Sequence, residues 1–241
     1  DAQRRAGRIR RHEAVGPAGV AVLWSLAELA SRRGLVVVMD AKRGDIGSTA
    51  EAYADAYLAP LPGEPKPIAD ALTVNPFLGK ETIEPFLQTA QAHHTGLFIL
   101  VRTSNPGSAD LQLQSSGHGT ISDQLARWAQ EWSVTSAGSL GYGDVGAVIG
   151  ATHASELRSF RQQMPNVPIL LPGYGAQGGS AKDLADAFDE RGLGGVVNNS
   201  RGILFAYQTE KHRGRDWRDA IRAATQEMIA DLAAHTAAGN L

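Results

Sequence analysis

The chain has 241 residues, 43% of them hydrophobic and 20% charged, with a formal net charge of −2. That length allows one large core or two small ones, and the near-neutral balance leaves no charge footprint for nucleic acid or a membrane surface. The absence of cysteine excludes disulfides and thiolate metal sites, and no apolar run reaches the roughly 20 residues of a membrane span.

The chain opens on DAQRRAGRIRRH, a basic stretch with five arginines. It carries no aromatic partner for a base and no apolar h-region of a signal peptide, so residues 1–15 are read as a tail, not as a nucleic-acid arm. Residues 16–241 read as one (β/α) domain. GPAGVAVLWSLAELASRRGL predicts a helix, with Pro17 in its first turn and Ala18, Val22, Leu26 and Leu29 on one face. Arg32 and Arg33 fall in its last turn, and Gly34 suits the stop. LVVVMD then reads as a strand without polar alternation, and so buried on both faces. ALTVNPFL, GLFILVRTS, VGAVIGAT, VPILLPGYG and GGVVNNSRG follow as strands. Between them, helices are predicted at about 49–58, 80–93, 121–137, 155–163 and 181–190, with a last one over 217–234.

Strands alternating with helices predict a parallel sheet, and each strand ends in polar or glycine-rich residues. In a (β/α)8 TIM barrel those ends form the catalytic face. An open doubly wound sheet would place its main phosphate loop after the first strand, where this chain has none. About six strands are readable, so the barrel is expected to be incomplete. SNPGSADLQLQSSGHG, long and polar, is a candidate lid.

The first strand ends in Asp40, Lys42 and Asp45. In extended geometry Asp40 and Lys42 share a face. A capping turn with surface ion pairs would explain Asp45 but leave three ionisable groups after VVVM unaccounted for. A divalent metal is disfavoured because Lys42 already supplies the compensating cation. The remaining reading is a charged array that keeps Lys42 protonated. A fixed ammonium is a proton donor, and a carboxylate beside a substrate carboxylate repels it. Together they equip a site to replace CO₂ with a proton.

PGYGAQGG places Gly173, Gly175 and Gly178 in a G-x-G-x-x-G spacing between a strand and a helix. The following strand ends in Asn198 and Asn199, not in an acid for a ribose, which favours a barrel phosphate loop over a dinucleotide site. Gln177 would donate there, and Arg201 in NNSRG has the planar fork that suits phosphate. Ser104 or Asn105 in RTSNPGS could read a polar ring, or that stretch could be an Asn-Pro turn. The seven histidines show no metal-binding spacing.

These motifs resemble the orotidine 5′-phosphate decarboxylase family, and more closely its bacterial second subfamily. The most specific element is D-x-K-x-x-D-I-x-x-T, here Asp40, Lys42, Asp45, Ile46 and Thr49. TSNPGS, PGYGAQGG and SRGI are similar to the family's later loops, in the same order. The resemblance covers about Gly16 to the C-terminus. It implies a cytoplasmic (β/α)8 barrel, homodimeric with shared active sites, that converts orotidine 5′-phosphate to UMP without metal or cofactor. Lys42 would give the proton to C6 of the pyrimidine, and Asp40 would hold Lys42 and crowd the substrate carboxylate. Asp45 and Thr49 would act in the neighbouring subunit's site. Gln177 and Arg201 would bind the phosphate and Ser104 would cover the base, with Ile46, Asn105 and Pro172 completing the substrate-binding set. Two further βα strands begin the family's barrel. They carry a ribose-binding Asp and a second Lys that the first sixteen residues here do not supply. The 241 residues taken alone are therefore expected to be aggregation-prone and nearly inactive. The rival readings are a Mg²⁺-dependent sugar-phosphate decarboxylase or aldolase of the same superfamily, and a remnant that binds phosphate ligands at most.

Overall fold

A computed structural model describes residues 12–117, 119–175 and 178–241. The basic tail up to residue 11 and Gln177 lie outside the described residues. The chain divides into two compact units, one ending at Leu97 and one beginning at Phe98, and each is described by itself.

The first unit holds α1 (Pro17–Arg32), β1 (Val38–Arg43), α2 (Gly47–Leu58), β2 (Ala71–Val74), a 3₁₀ turn at Lys80–Ile83, α3 (Glu84–His93) and the first two residues of β3 (Gly96–Arg102). β1 and β2 pair in parallel, and the Gly96 amide donates to the Asp70 carbonyl, which starts β3 beside β2. Ala50, Ala54, Tyr57 and Leu58 recur at helical spacing and form the buried stripe of α2. With Leu72, Ile83 and Phe86, all fully buried, they make the local core.

Two expectations fail in this unit. The predicted inward face of α1 points outward: Val22 is 56% exposed, and Leu26 and Leu29 are exposed too. Gly19, under the preceding turn at His12–Val15, and Ala27 are the buried residues. The Trp24 ring lies 5.6 Å from Tyr57 and packs α1 against α2. Nor is LVVVMD buried on both faces. Leu35 and Val36 (78% exposed) precede the strand, whose buried position is Met39. An apolar run predicts a two-faced burial only when the strand has cover on both faces.

The second unit contains the rest of β3, a 3₁₀ turn at Pro106–Ser108, the short α4 (Ala109–Gln112), α5 (Ile121–Thr135), β4 (Val145–Ile149), α6 (Ala154–Gln163), β5 (Ile169–Pro172), β6 (Gly195–Asn198), the short α7 (Ser200–Leu204) and α8 (Trp217–His235). β4, β5 and β6 pair in parallel, and the Gly150 amide donates to the Arg102 carbonyl, which joins the end of β3 to that of β4. Strand order follows chain order, β1 to β6. Six strands of a (β/α) barrel are thus present, as the sequence pattern predicts. α5 starts in a capping box: Thr120 accepts from the Asp123 amide, and Asp123 accepts from the Thr120 amide. Arg161 of α6 donates to the carbonyls of Met164, Val167, Ala187 and Gly194 at 2.9, 2.8, 2.7 and 2.9 Å, and so aligns the starts of β5 and β6. The helix expected over 181–190 is only a 3₁₀ turn, Lys182–Ala187. Beyond it, Asp189 draws the amides of Arg191 and Leu193 onto its carboxylate, both at 2.9 Å, and so builds the turn into β6. No described helix is long and apolar enough to cross a membrane.

Candidate active site

The charged array stands where β1 loses its register. Val38 faces Ala71 and Met39 faces Leu72, but the next pair is Arg43 with Val74. Four steps along β1 therefore match two along β2, a bulge that spans Asp40, Ala41 and Lys42. Lys42 has φ 50°, the left-handed region that a side chain enters at a cost of roughly 1–2 kcal/mol. Extended geometry does not hold through the strand end, so the shared face expected for positions 40 and 42 does not arise by alternation. The bulge brings them together instead. The Lys42 ammonium donates to Asp40 Oδ1. Both side chains stay partly in solvent, 47% and 42% exposed, so the pair holds geometry more than it adds stability.

Thr73 supports this arrangement and was not singled out from the sequence. It is fully buried on β2. Its hydroxyl accepts the Lys42 amide at 2.9 Å, replacing the ladder partner that the bulge removes, and donates to Asp40 Oδ1 at 3.2 Å. A lone hydroxyl residue in the run ALTV was the available signal. Asp45 is engaged otherwise. Its Oδ1 accepts the amide of Ile46 at 2.9 Å, just ahead of α2. Ile46 and Thr49 are both exposed, Thr49 in the first turn of α2. Within one chain the array is thus Asp40, Lys42 and Thr73, with Asp45 turned to the helix entry.

In the second unit the RTSNPGS loop is fixed from below. Arg102, almost fully buried, makes a two-pronged contact with Glu156 at 3.0 and 3.1 Å and donates to Ser108 Oγ at 2.6 Å. Gln112 brackets Thr103, accepting its amide at 2.9 Å and donating to its hydroxyl at 2.8 Å. That hydroxyl donates to Asn105 Oδ1 at 2.7 Å. Ser104 is half-buried against Gly150, where an added Cβ would come within 2.7 Å of it. The candidate lid begins as this tied loop and continues into α4, with an antiparallel bridge between Ser115 and Thr120.

β5 ends at the half-buried Pro172, and the glycine loop follows. Gly173 (φ 106°) and Gly175 (φ 67°) occupy backbone conformations that favour glycine. The Gly175 amide donates to the Gly179 carbonyl at 2.8 Å, and the Gly178 amide to the Gly175 carbonyl at 2.9 Å. Gly175 lies beside Asn199. Asn199 caps α7 by accepting the Gly202 amide at 3.0 Å, and α7 carries the exposed Arg201. The loop after β5 therefore lies beside Asn199, two residues ahead of the arginine after β6 in the same unit.

Comparison with known proteins agrees with these motifs. Residues 16–215 match the family described as Orotidine 5′-phosphate decarboxylase / HUMPS. The chain is 45% identical over 225 residues to an orotidine 5′-phosphate decarboxylase of Rhodopirellula baltica, covering 91% of this chain and 74% of that one. It is 40% identical over 198 residues to that of Caldicellulosiruptor saccharolyticus, covering 80% of this chain and 65% of the relative. The structure of Leishmania donovani OMP decarboxylase superposes with a TM-score of 0.71 at 32% identity, over 93% of this chain and 79% of that chain. The chain spans about two thirds to three quarters of the length of the two bacterial relatives. By family model, sequence identity and fold together, this chain belongs to the orotidine 5′-phosphate decarboxylase family.

Proposed function

We propose that the protein decarboxylates orotidine 5′-phosphate to UMP, with Lys42 as the proton donor. The observation that carries the reading is the Asp40–Lys42–Thr73 array, held in a strained bulge at the C-terminal end of β1. Strain of this kind is kept where the surroundings over-determine it and the geometry is used. Asp40 repels the substrate carboxylate and holds the ammonium. The bond from C6 to the carboxylate breaks, its electron pair stays on C6, and CO₂ leaves. The Lys42 ammonium supplies the proton to C6 and is reprotonated from water. The array stabilises the negative charge as it develops, which is where preorganised charge acts most strongly. Arg201 and Gln177 bind the 5′-phosphate, and that remote binding energy is used at the reacting carbon. Ser104, Asn105, Pro172 and Ile46 line the base and ribose.

In this reading the enzyme is a cytoplasmic homodimer that needs no metal or cofactor, and Asp45 and Thr49 serve the neighbouring subunit's site. The test is decarboxylation of orotidine 5′-phosphate by the protein at its natural full length, with and without EDTA. Turnover should be insensitive to the chelator, and Lys42→Ala should lower it by at least ~10²–10⁴. Activity within tenfold of wild type in that variant would remove Lys42 from the role. Dependence on added Mg²⁺ would favour the sugar-phosphate branch of the superfamily.

A further inference from the structure

Tyr174 lies inside the glycine loop, between Gly173 and Gly175, and its hydroxyl donates to Asp231 Oδ2 on α8. The bond links the soft loop after β5 to the last long helix. One turn earlier on the same face of α8, Glu227 meets Lys211 at 2.8 Å and the ring of the buried His212 at 3.4 Å. Lys211 and His212 belong to the segment that follows α7 and its Arg201. Two acids one turn apart thus hold the glycine loop and the segment that follows α7. Side-chain packing does not do this work alone. A cavity of about 420 Å³ lies between these parts, lined by Tyr174, Asn199, Gly202, Glu227 and Asp231 among others.

We infer that Tyr174 and Asp231 are a positioning pair for phosphate binding: the hydrogen bond from the loop to α8 holds the glycine-loop amides in place beside Arg201. The inference rests on the proposed function for its ligand, and neither residue needs to touch the nucleotide. Glycine supplies the loop with reach but no stiffness, because it has the largest conformational freedom to lose. Three points restrain the described part of the loop: the amides of Gly175 and Gly178, both bonded within it, and the Tyr174 hydroxyl, bonded outside it. Only the third ties the loop to another element through a side chain that can be altered without disturbing the backbone. Burial, followed by the hydrogen bond and charge of Asp231, pushes the Tyr174 hydroxyl up to about 12, so it remains a donor throughout the working pH range. Asp231 also faces His235 at 3.0 Å, which leaves the carboxylate partnered when the tyrosine hydroxyl is removed.

The test uses Tyr174→Phe, Asp231→Ala and the double variant in the full-length protein. Removing one hydrogen bond should raise KM for orotidine 5′-phosphate and weaken UMP binding about three- to tenfold. Saturated turnover should stay within about twofold, and affinity for uridine should not move, since the nucleoside has no phosphate. The double variant should be no worse than either single one, because both remove the same bond. A second measurement does not depend on the ligand: hydrogen exchange at the amides of Gly175 and Gly178 in the free protein should speed up about tenfold in Tyr174→Phe. Unchanged exchange, or equal losses for UMP and uridine, would overturn the pair. A wild-type protein that neither decarboxylates nor prefers UMP over uridine would defeat the proposed function instead, while the exchange result would still decide whether Tyr174 holds the loop.

Discussion

Replacing Thr73 with valine isolates what the buried hydroxyl contributes. Valine has nearly the same shape, so no cavity opens at this fully buried position. Two bonds disappear: the Lys42 amide loses its acceptor at 2.9 Å, and Asp40 Oδ1 loses a donor at 3.2 Å. Asp40 is partly in solvent and water can replace its lost donor. The Lys42 amide is harder to satisfy, because the bulge has already removed its ladder partner, and a polar group left unpaired costs about 1–3 kcal/mol. Lys42 is also held in a left-handed conformation that it leaves readily once the restraint is gone. The ammonium should then drift from its donor position, and a displacement of that kind costs up to about 100-fold in rate. Thr73→Val should therefore lower stability in urea by about 1–3 kcal/mol and turnover by ten- to a hundredfold, with UMP affinity nearly kept. Thr73→Ser, which retains the hydroxyl, should recover most of the turnover. If the valine variant keeps stability within about 0.5 kcal/mol and turnover within about twofold, the hydroxyl does not hold the array.

Lys42→Gly should separate stability from function: relieving the left-handed strain should raise the urea midpoint by up to about 1 kcal/mol of stability while turnover falls by at least ~10². Arg201→Ala should weaken UMP binding by the equivalent of about 1.5–3 kcal/mol in calorimetry and leave uridine almost unaffected, and equal losses would make Arg201 structural. Glu156→Ala leaves the buried Arg102 without its two-pronged partner, so thermal and urea unfolding should show a loss of about 3–5 kcal/mol. Mixing Lys42→Ala with Asp45→Ala subunits should restore part of the activity if Asp45 serves the neighbouring site, and no recovery despite demonstrated subunit exchange would place it in its own.

Most of the fold could be read from the sequence because its signals are local. Pro17 at the start and Gly34 after the end bracket α1, which spans Pro17–Arg32 as predicted. GLFILVR and VGAVI are apolar runs of strand length, and both become strands with mostly buried residues. What failed depended on which neighbour an element meets. α1 is apolar on more than one side, and its neighbours, the His12–Val15 turn and Tyr57 among them, accompany the burial of Gly19 and Ala27. The helix expected at 181–190 is a 3₁₀ turn that stops at Ala187, and the Asp189 carboxylate then builds the turn into β6. In the site, the residues carrying charge announced themselves: Asp40, Lys42 and Arg201 break apolar or glycine-rich runs. Their supports did not. Thr73, Glu156 and Asp231 lie 33, 54 and 57 positions from the residues that they hold, a separation that no local pattern encodes.

The bulge explains why the motif is written as it is. A lysine two residues after an aspartate on a regular strand would share its face, yet the ladder would also fix its backbone and leave no room to adjust the ammonium against Asp40. The bulge frees the Lys42 amide from the ladder, and Thr73 takes it up at a different angle. Beyond it the strand must rejoin β2 closely: the Asn75 amide donates to the Arg43 carbonyl at 2.7 Å, and a Cβ at Gly44 would come within 2.8 Å of the Asn75 carbonyl. Only glycine permits that approach without shifting the strand end. Arg43 is fixed from the other side by Glu13 and by the Tyr57 hydroxyl. The strained lysine is thus held between two anchored points, Met39 before it and Arg43–Gly44 after it, and the free energy spent on its conformation of roughly 1–2 kcal/mol is recovered by contacts that themselves perform no chemistry.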